Sequence, residues 1–355
     1  MDPGGLTKEI ERLREEILGI PRALTRTLTE AKPVIEELVR QVRWEEGPIY
    51  VVGEGPARLV GIGGRFALES LLGWPVVVRS AKELENYSAP LRRHSLVLVV
   101  SSPNDSQAMV ETARKLKREG ATILALTEDS SSELAQVAEG LIPVCSGETR
   151  GLGIRSILCR QFSLGLFALA AAQKLKAPRP EFDTLQEELA KLPQQVEKLI
   201  HEQGDAPRML GEKLKQARSL MILAGGFFYP VALLWADSLK KYAEIQVEVS
   251  DLLELDADPF DWLRERIHPV VILSGSRSKL LTELPNLAAQ MDNALCEMVV
   301  VSDNQDRILI KHSTMALLIP TMSEMVAAMA MLAPLQLAGY YAARRREGES
   351  GPRRR

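Results

Sequence analysis

Five short apolar runs, mostly Val, Ile and Leu, begin near Ile49, Val76, Leu96, Thr122 and Leu141. Five more begin near Leu220, Gln246, Val270, Met298 and Leu317, in the same order and 170 to 176 residues downstream. This repetition limits the possible folds more than any other feature of the chain. The period is too long for a stacked solenoid, so it signals a duplicated domain. The runs do not alternate polar with apolar residues, which is the pattern of strands covered on both faces of a parallel sheet. Helical patterns separate most of them. The expected fold is therefore α/β, with two tandem doubly wound, flavodoxin-like parallel-sheet domains.

Each copy opens in the same way. Ile49 to Val52 stops at Gly53-Glu54-Gly55, and Leu59, Ile62, Phe66, Leu68 and Leu71 continue at helical spacing. Leu220 to Ala224 stops at Gly225-Gly226, and a helix is expected over Val231 to Tyr242. Five segments follow: a helical arm over 1–45, a first domain over 46–173, a helical connector over 174–218, a second domain over 219–346 and a basic tail over 347–355. The arm is expected to pack on a partner subunit or on the second domain. The connector helices, Glu181 to His201 and Ala206 to Gln216, carry the charge runs of a solvent-facing surface.

The 355 residues suffice for two full cores. A net charge of −3 gives no overall attraction to nucleic acid or to a membrane surface. Cys145, Cys159 and Cys296 are odd in number and far apart, which suggests neither a disulfide framework nor a zinc site. No signal peptide and no apolar run of membrane length is read, so the cytoplasm is the expected compartment.

Ligands of doubly wound sheets bind beyond the carboxyl ends of the strands. The turn Gly53-Glu54-Gly55 lies there. Arg58 stands where a dinucleotide fingerprint needs glycine, which argues against a nicotinamide site. The glycines then serve a tight turn, ligand contact, or both. After the run Leu96 to Val100 come Ser101, Ser102, Asn104, Asp105 and Ser106, with a helix to Glu119 and Gly120 as its stop. Hydroxyls and N–H groups at a helix start suit an anion. Plain capping is the competing reading, and Asp105 favours it. Position at a central strand favours the ligand. Ser146 to Arg155 carries Gly151 and Arg155 before a long apolar helix, Ile157 to Ala172, and reads either as a phosphate flap or as a plain loop. Ser274-Gly-Ser-Arg-Ser-Lys279 is the second copy's counterpart of the Ser101 loop, a second site or a capped turn. The acidic segment Ser250 to Asp261 has no histidine near it in sequence and reads as a solvated turn rather than a metal site. His94, His268 and His312 precede strand runs, at the end of the sheet opposite to catalysis.

Four stretches carry a resemblance to a known family. They are Leu6-Thr-Lys-Glu-Ile-Glu11 with Ile20-Pro-Arg-Ala-Leu24, Ile49-Tyr-Val-Val-Gly-Glu-Gly55, Lys191-Leu-Pro-Gln-Gln-Val-Glu-Lys198 and Pro334-Leu-Gln-Leu-Ala-Gly-Tyr340. In this order the chain resembles the double sugar-isomerase (SIS) domain proteins, among them the isomerase half of glutamine–fructose-6-phosphate aminotransferase and fructosamine deglycases. The resemblance implies a homodimer that binds a small sugar phosphate, without metal, nucleotide or other cofactor. It implies phosphosugar contacts at Gly53, Glu54, Gly55, Ser101, Ser102, Asn104, Ser106, Gly151 and Arg155.

The chain departs from the family at several of these positions. Pro103 and Asn104 replace a serine and a glycine of the phosphate loop, and Pro56-Ala57 replaces a Thr-Ser pair, so fewer donors remain. Lys241 stands where the family has its proton-shuttling glutamate, and Ala257 where it has its ring-opening histidine. Moving a proton between neighbouring sugar carbons requires a positioned base. Glu248 and Glu254 are the candidates, and Lys241 serves only if desolvation lowers its pKa. No counterpart of the glutaminase half is present, so amide hydrolysis is not expected. Two readings of function stand. One is a sugar-phosphate or amino-sugar-phosphate isomerase or deglycase. The other is a non-catalytic phosphosugar sensor or regulatory protein.

Overall fold

A computed structural model of the chain describes residues 3–87, 91–100, 107–148, 153–177, 181–201, 205–254, 269–279, 284–293 and 296–344. These fall into two compact units. One holds Ile20–Thr149 with Gly153–Ala190, the other Met1–Gly19 with Lys191–Arg355.

In the first unit, strands β1 (Ile49–Val52), β2 (Val76–Arg79), β3 (Leu96–Val100), β4 (Thr122–Thr127) and β5 (Gly140–Pro143) form one parallel sheet of order β2-β1-β3-β4-β5. Tyr50 pairs with Val97 and Leu96 with Thr122. All five residues of β3 are buried, which is why its sequence is unbroken Leu and Val. The chain leaves β1 to one side for β2 and returns past it for β3. The order therefore reverses between β1 and β3, where doubly wound sheets open their ligand crevice. One face carries helices α2 (Ile20–Arg26), α3 (Lys32–Gln41), α4 (Pro56–Leu72) and α8 (Ile154–Lys174), with a π-helical turn, Thr27–Ala31, joining α2 to α3. The other carries α5 (Ala81–Tyr87), α6 (Gln107–Arg118) and α7 (Glu133–Val137), whose Leu84, Met109, Val110 and Leu134 meet Val97, Val99 and Ile123.

The second unit repeats this plan. Its strands are β6 (Ser219–Ala224), β7 (Gln246–Asp251), β8 (Val270–Leu273), β9 (Met298–Asp303) and β10 (Met315–Ile319), in the order β10-β9-β8-β6-β7. That is the first sheet's order read from the opposite edge, with β6 in the place of β1. Every strand start lies within two residues of its expected position. Helices α9 (Phe182–His201), α10 (Asp205–Leu214), α11 (Phe228–Tyr242), α12 (Leu284–Asn293), α13 (Arg307–His312) and α14 (Glu324–Arg344) complete the described elements. Helix α11 begins before Pro230, which sits in its first turn where a missing N–H is harmless.

Two expectations are corrected, and a third, that the helical arm packs on the second domain, holds only for its first helix. Helix α4 buries Ala57, Val60, Gly61, Gly64, Ala67, Leu68, Leu71 and Leu72, while Leu59, Ile62 and Phe66 are only half-buried. Small residues bring α4 close to its neighbours: a side chain at Gly61 would meet Val51, and one at Gly64 would overlap Leu164 of α8. The connector helices are not simply solvent-facing. Leu185, Leu189, Leu192, Val196 and Leu199 of α9 and Leu210, Gly211 and Leu214 of α10 are buried beside the exposed charges. The arm divides between the units. α1 (Pro3–Leu18) packs on α14, with Tyr340 donating to Glu11, while α2 and α3 pack on α8.

Against the expectation from the sequence, helices α8 and α14 are long and apolar enough to cross a membrane, but their apolar stretches are 89% and 94% buried within the protein. Core helices of this kind are apolar because protein surrounds them.

Candidate functional site

The carboxyl edge of the first sheet is assembled from turns whose glycines have separate physical reasons. A Cβ at Gly53 would lie 2.8 Å from the Ala57 carbonyl, so only glycine lets α4 start this close to β1. Gly55 precedes α4 with φ 52° and ψ −128°, a conformation that residues with a side chain avoid, and it supplies no side-chain cap. Gly153 precedes α8 with φ 65°, again without a side-chain cap. Neither helix is capped by the side chain of the residue before it. At the start of α4, Pro56 has no N–H, and the N–H groups of Ala57 and Arg58 donate to the carbonyls of Glu54 and Gly55, at 3.1 Å each, so what both starts offer is the positive end of the helix dipole. Glu54, half-buried, lies between the two glycines, and its carbonyl accepts from Ala57 N–H at 3.1 Å.

Arg155, in the first turn of α8, folds back so that its Nη2 donates to the Glu148 carbonyl. Arg26 of α2 donates through Nε and Nη2 to the Cys145 carbonyl, at 3.2 and 2.5 Å. Two guanidinium groups thus brace the 145–148 loop. Ser101, Ser102, Asn104 and Ser106 follow β3, and Gly151 precedes α8; all five lie outside the described residues. Of the expected phosphosugar contacts, the described ones are Gly53, Glu54, Gly55 and Arg155, all in this unit.

A polar cluster not expected from the sequence pattern lies beside Arg155. Glu128 directly follows β4. Its Oε1 accepts from Ser146 Oγ at 2.7 Å and from Ser156 Oγ, and lies 3.5 Å from Nη2 of Arg160. Arg160 is 4% exposed, Ser146 2% and Ser156 1%, whereas Glu128 keeps 21% of its side chain exposed. One signal was legible: Arg160 is a lone cation within the apolar run of α8.

In the second unit the turn that follows β8 is described. Ser276 N–H donates to Asp303 Oδ2 at 2.7 Å, and Ser278 Oγ donates to Glu324 Oε1 at 2.9 Å. Thr321 Oγ1 and Gln305 N–H donate to the other oxygen of Asp303, at 3.1 and 3.0 Å. Asp303 is 1% exposed. The protein's own carboxylates thus accept from this turn, an arrangement that fits a capped turn. Burial holds the Glu324 carboxyl above its usual range, against the Ser278 hydroxyl and the nearby Lys279. Burial likewise raises Asp306, against the Ser302 hydroxyl.

The catalytic candidates do not converge. Glu248 is exposed in the middle of edge strand β7. Glu254 is exposed three residues beyond that strand, with its N–H on the Asp251 carbonyl. Burial and then the charges of Asp251 and Glu254 raise the Tyr229 hydroxyl, which places Glu254 near the start of α11. Lys241, at the end of α11, pairs with Glu9 of α1 at 3.2 Å and lies over the Tyr242 ring. Burial pushes its pKa down, but the Tyr242 hydroxyl and Glu9 together outweigh it and the net shift is upward. The condition for Lys241 to act as a base is not met. His94, near the amino end of β3, takes φ 65°, and His312 pairs with Asp292 at 2.8 Å. Among the described residues no group of three or more His, Cys, Asp or Glu is placed to hold a metal ion.

Comparison with known proteins bears on this arrangement. The sequence model of the SIS domain matches twice, over residues 44–171 and 213–344. Glutamine–fructose-6-phosphate aminotransferase (isomerizing) of Synechocystis sp. is 26% identical over 310 residues, covering 84% of this chain and 48% of that protein. The enzyme of the same name from Mycobacterium bovis is 24% identical, covering 94% of this chain and 55% of its own length. The chain thus spans about half the length of the curated relatives it matches. Among solved structures, the C-terminal domain of glucosamine-fructose-6-phosphate aminotransferase from Francisella tularensis superposes with a TM-score of 0.82 at 19% identity, covering 94% of this chain and 95% of that one. Glucosamine-6-phosphate deaminase from Thermotoga maritima superposes with a TM-score of 0.67 at 16% identity, covering 94% and 95%.

Proposed function

Given that the chain belongs to the SIS domain family, with two copies of the domain, we propose that it is a sugar-phosphate or amino-sugar-phosphate isomerase or deglycase. Its substrate would be a phosphorylated ketose or the amine adduct of one. The observation that carries this reading is the pair of glycine-opened starts of α4 and α8 on the first unit, with Arg155 in the first turn of α8. The positive ends of two helix dipoles and a guanidinium suit a phosphate ester. The relatives' names, which specify fructose-6-phosphate and glucosamine-6-phosphate, support the same substrate class.

In this reading the ester lies at Gly53, Glu54 and Gly55 and at Ser101, Ser102, Asn104 and Ser106, with Gly151 and Arg155 closing over it. The sugar carbons then lie away from the anion site, where a base moves a proton between C1 and C2. The working form is a homodimer in the cytoplasm.

The test pairs binding with turnover. Purified chain is heated with fructose 6-phosphate, glucosamine 6-phosphate and a 6-phosphofructosyl amine, and each compound is assayed for conversion. The reading requires a raised melting temperature and conversion of at least one compound. Binding without conversion across the panel would instead indicate the sensor. No response to any phosphate ester would refute both.

A further inference from the structure

We propose that Glu128 is the catalytic base of this chain; the inference rests on the isomerase reading above. The positions at which the family resemblance places its acid and base hold Lys241 and Ala257. Lys241 is ion-paired with Glu9. Glu248 and Glu254 are exposed on or just beyond an edge strand. Glu128 differs from all of these in how it is held. It lies at the carboxyl end of β4, with only β3 between that strand and the sheet's reversal point, on the edge where doubly wound folds bind ligands.

Its two oxygens are unequal. Oε1 is fixed by two buried hydroxyls and a buried guanidinium. Oε2 has no hydrogen-bond partner among the described residues, and the side chain keeps a fifth of its surface open, at 21%. Such a carboxylate is oriented through one oxygen and presents the other. A carboxylate needed only to neutralise Arg160 has no reason to leave one oxygen without a hydrogen bond among the described residues, because a buried charge pair is most stable when every lone pair is satisfied. Fixing the base in advance also removes the need to order it during reaction.

The step balances without any further reagent. Glu128 Oε2 takes a proton from C1 of the ketose, and the C–H electron pair becomes the C1–C2 double bond of an enediol. The C2 carbonyl oxygen takes a proton from water. Glu128 then returns its proton to C2 while the C1 hydroxyl loses one to water, leaving an aldehyde at C1. Nothing is oxidised and no atom is gained or lost.

The test uses the full chain and the compound from the panel that it converts best. Glu128→Gln keeps the shape and the hydroxyl contacts but has no basic oxygen. The expected result is a fall in kcat of about 10²- to 10⁴-fold, with KM and ligand-induced melting shift within about threefold of the parent. Exchange of the C1 hydrogen with deuterated solvent should be lost in parallel, which a purely structural role would not produce. If the variant melts early, Glu128→Asp decides. It keeps a charge for Arg160 but withdraws the oxygen by one methylene, so kcat should fall with KM unchanged. Turnover and exchange within threefold of the parent in a folded variant would overturn the assignment while leaving the isomerase reading intact. A parent chain that binds the panel but converts nothing refutes the isomerase reading and this base with it.

Discussion

A single methyl group tests how closely the second unit is packed. Gly211 lies inside α10, where alanine would ordinarily stabilise a helix by up to ~1 kcal/mol. Here the added Cβ would lie 2.5 Å from Tyr341 Cβ, 2.8 Å from the Ala338 carbonyl and 3.1 Å from the Ala342 N–H of α14. All three are backbone or the first side-chain atom, so no rotamer change makes room and the two helices must separate. Overfilling a packed interior typically costs about 1–3 kcal/mol. The clash therefore outweighs the propensity gain, and Gly211→Ala should destabilise by about 1–2 kcal/mol. For a unit of this size that lowers the melting temperature by about 2–8 °C. Gly5→Ala in α1, where no atom lies within 4 Å of the new carbon, is the control and should be neutral or slightly stabilising. Scanning calorimetry of both variants reads the difference. A Gly211 variant that melts at or above the parent would refute the packing argument.

Other predictions concern ionisable groups. Burial raises Glu324 and Asp306, so the folded state holds their protons more tightly than the unfolded chain does. Their contribution to stability is complete below the ordinary carboxylate range and is lost as pH rises through the raised values. Glu324→Gln, which still accepts from Ser278, should flatten the fall in melting temperature above pH 4.5, the usual glutamate value; an unchanged profile would contradict this. Burial pushes the Cys159 thiol up to about 12, against the Thr27 hydroxyl, so it should resist alkylation at pH 8 until the chain unfolds. Mass-spectrometric mapping of native and denatured samples checks this, and native labelling at Cys159 would refute it.

The sheets were legible because strands covered on both faces leave unbroken apolar runs, and because the runs occur twice in one order. The buried face of α4 was not, since hydrophobic periodicity weights Leu59, Ile62 and Phe66 and gives no credit to Gly61 and Gly64. Long-range polar pairing was not legible either. The acceptors of Ser276 and Ser278 lie 27 and 46 residues away, and those of Ser146 and Ser156 lie 18 and 28 residues away. Nothing in local spacing distinguishes Glu128 from the exposed Asp129 beside it. Only the fold brings Ser146, Ser156 and Arg160 to its oxygen. Candidate bases chosen for their place in the strand pattern, Glu248 and Glu254, emerge exposed, because an edge strand offers only one neighbour to cover it.

The most direct test is a crystal of this chain soaked in fructose 6-phosphate. The ester should lie against Gly53–Gly55 and the Ser101–Ser106 loop, with Arg155 in reach of it and the carbon end toward Glu128. An ester seated instead at Ser274–Lys279, where Asp303 and Glu324 already take the donors, would contradict the account.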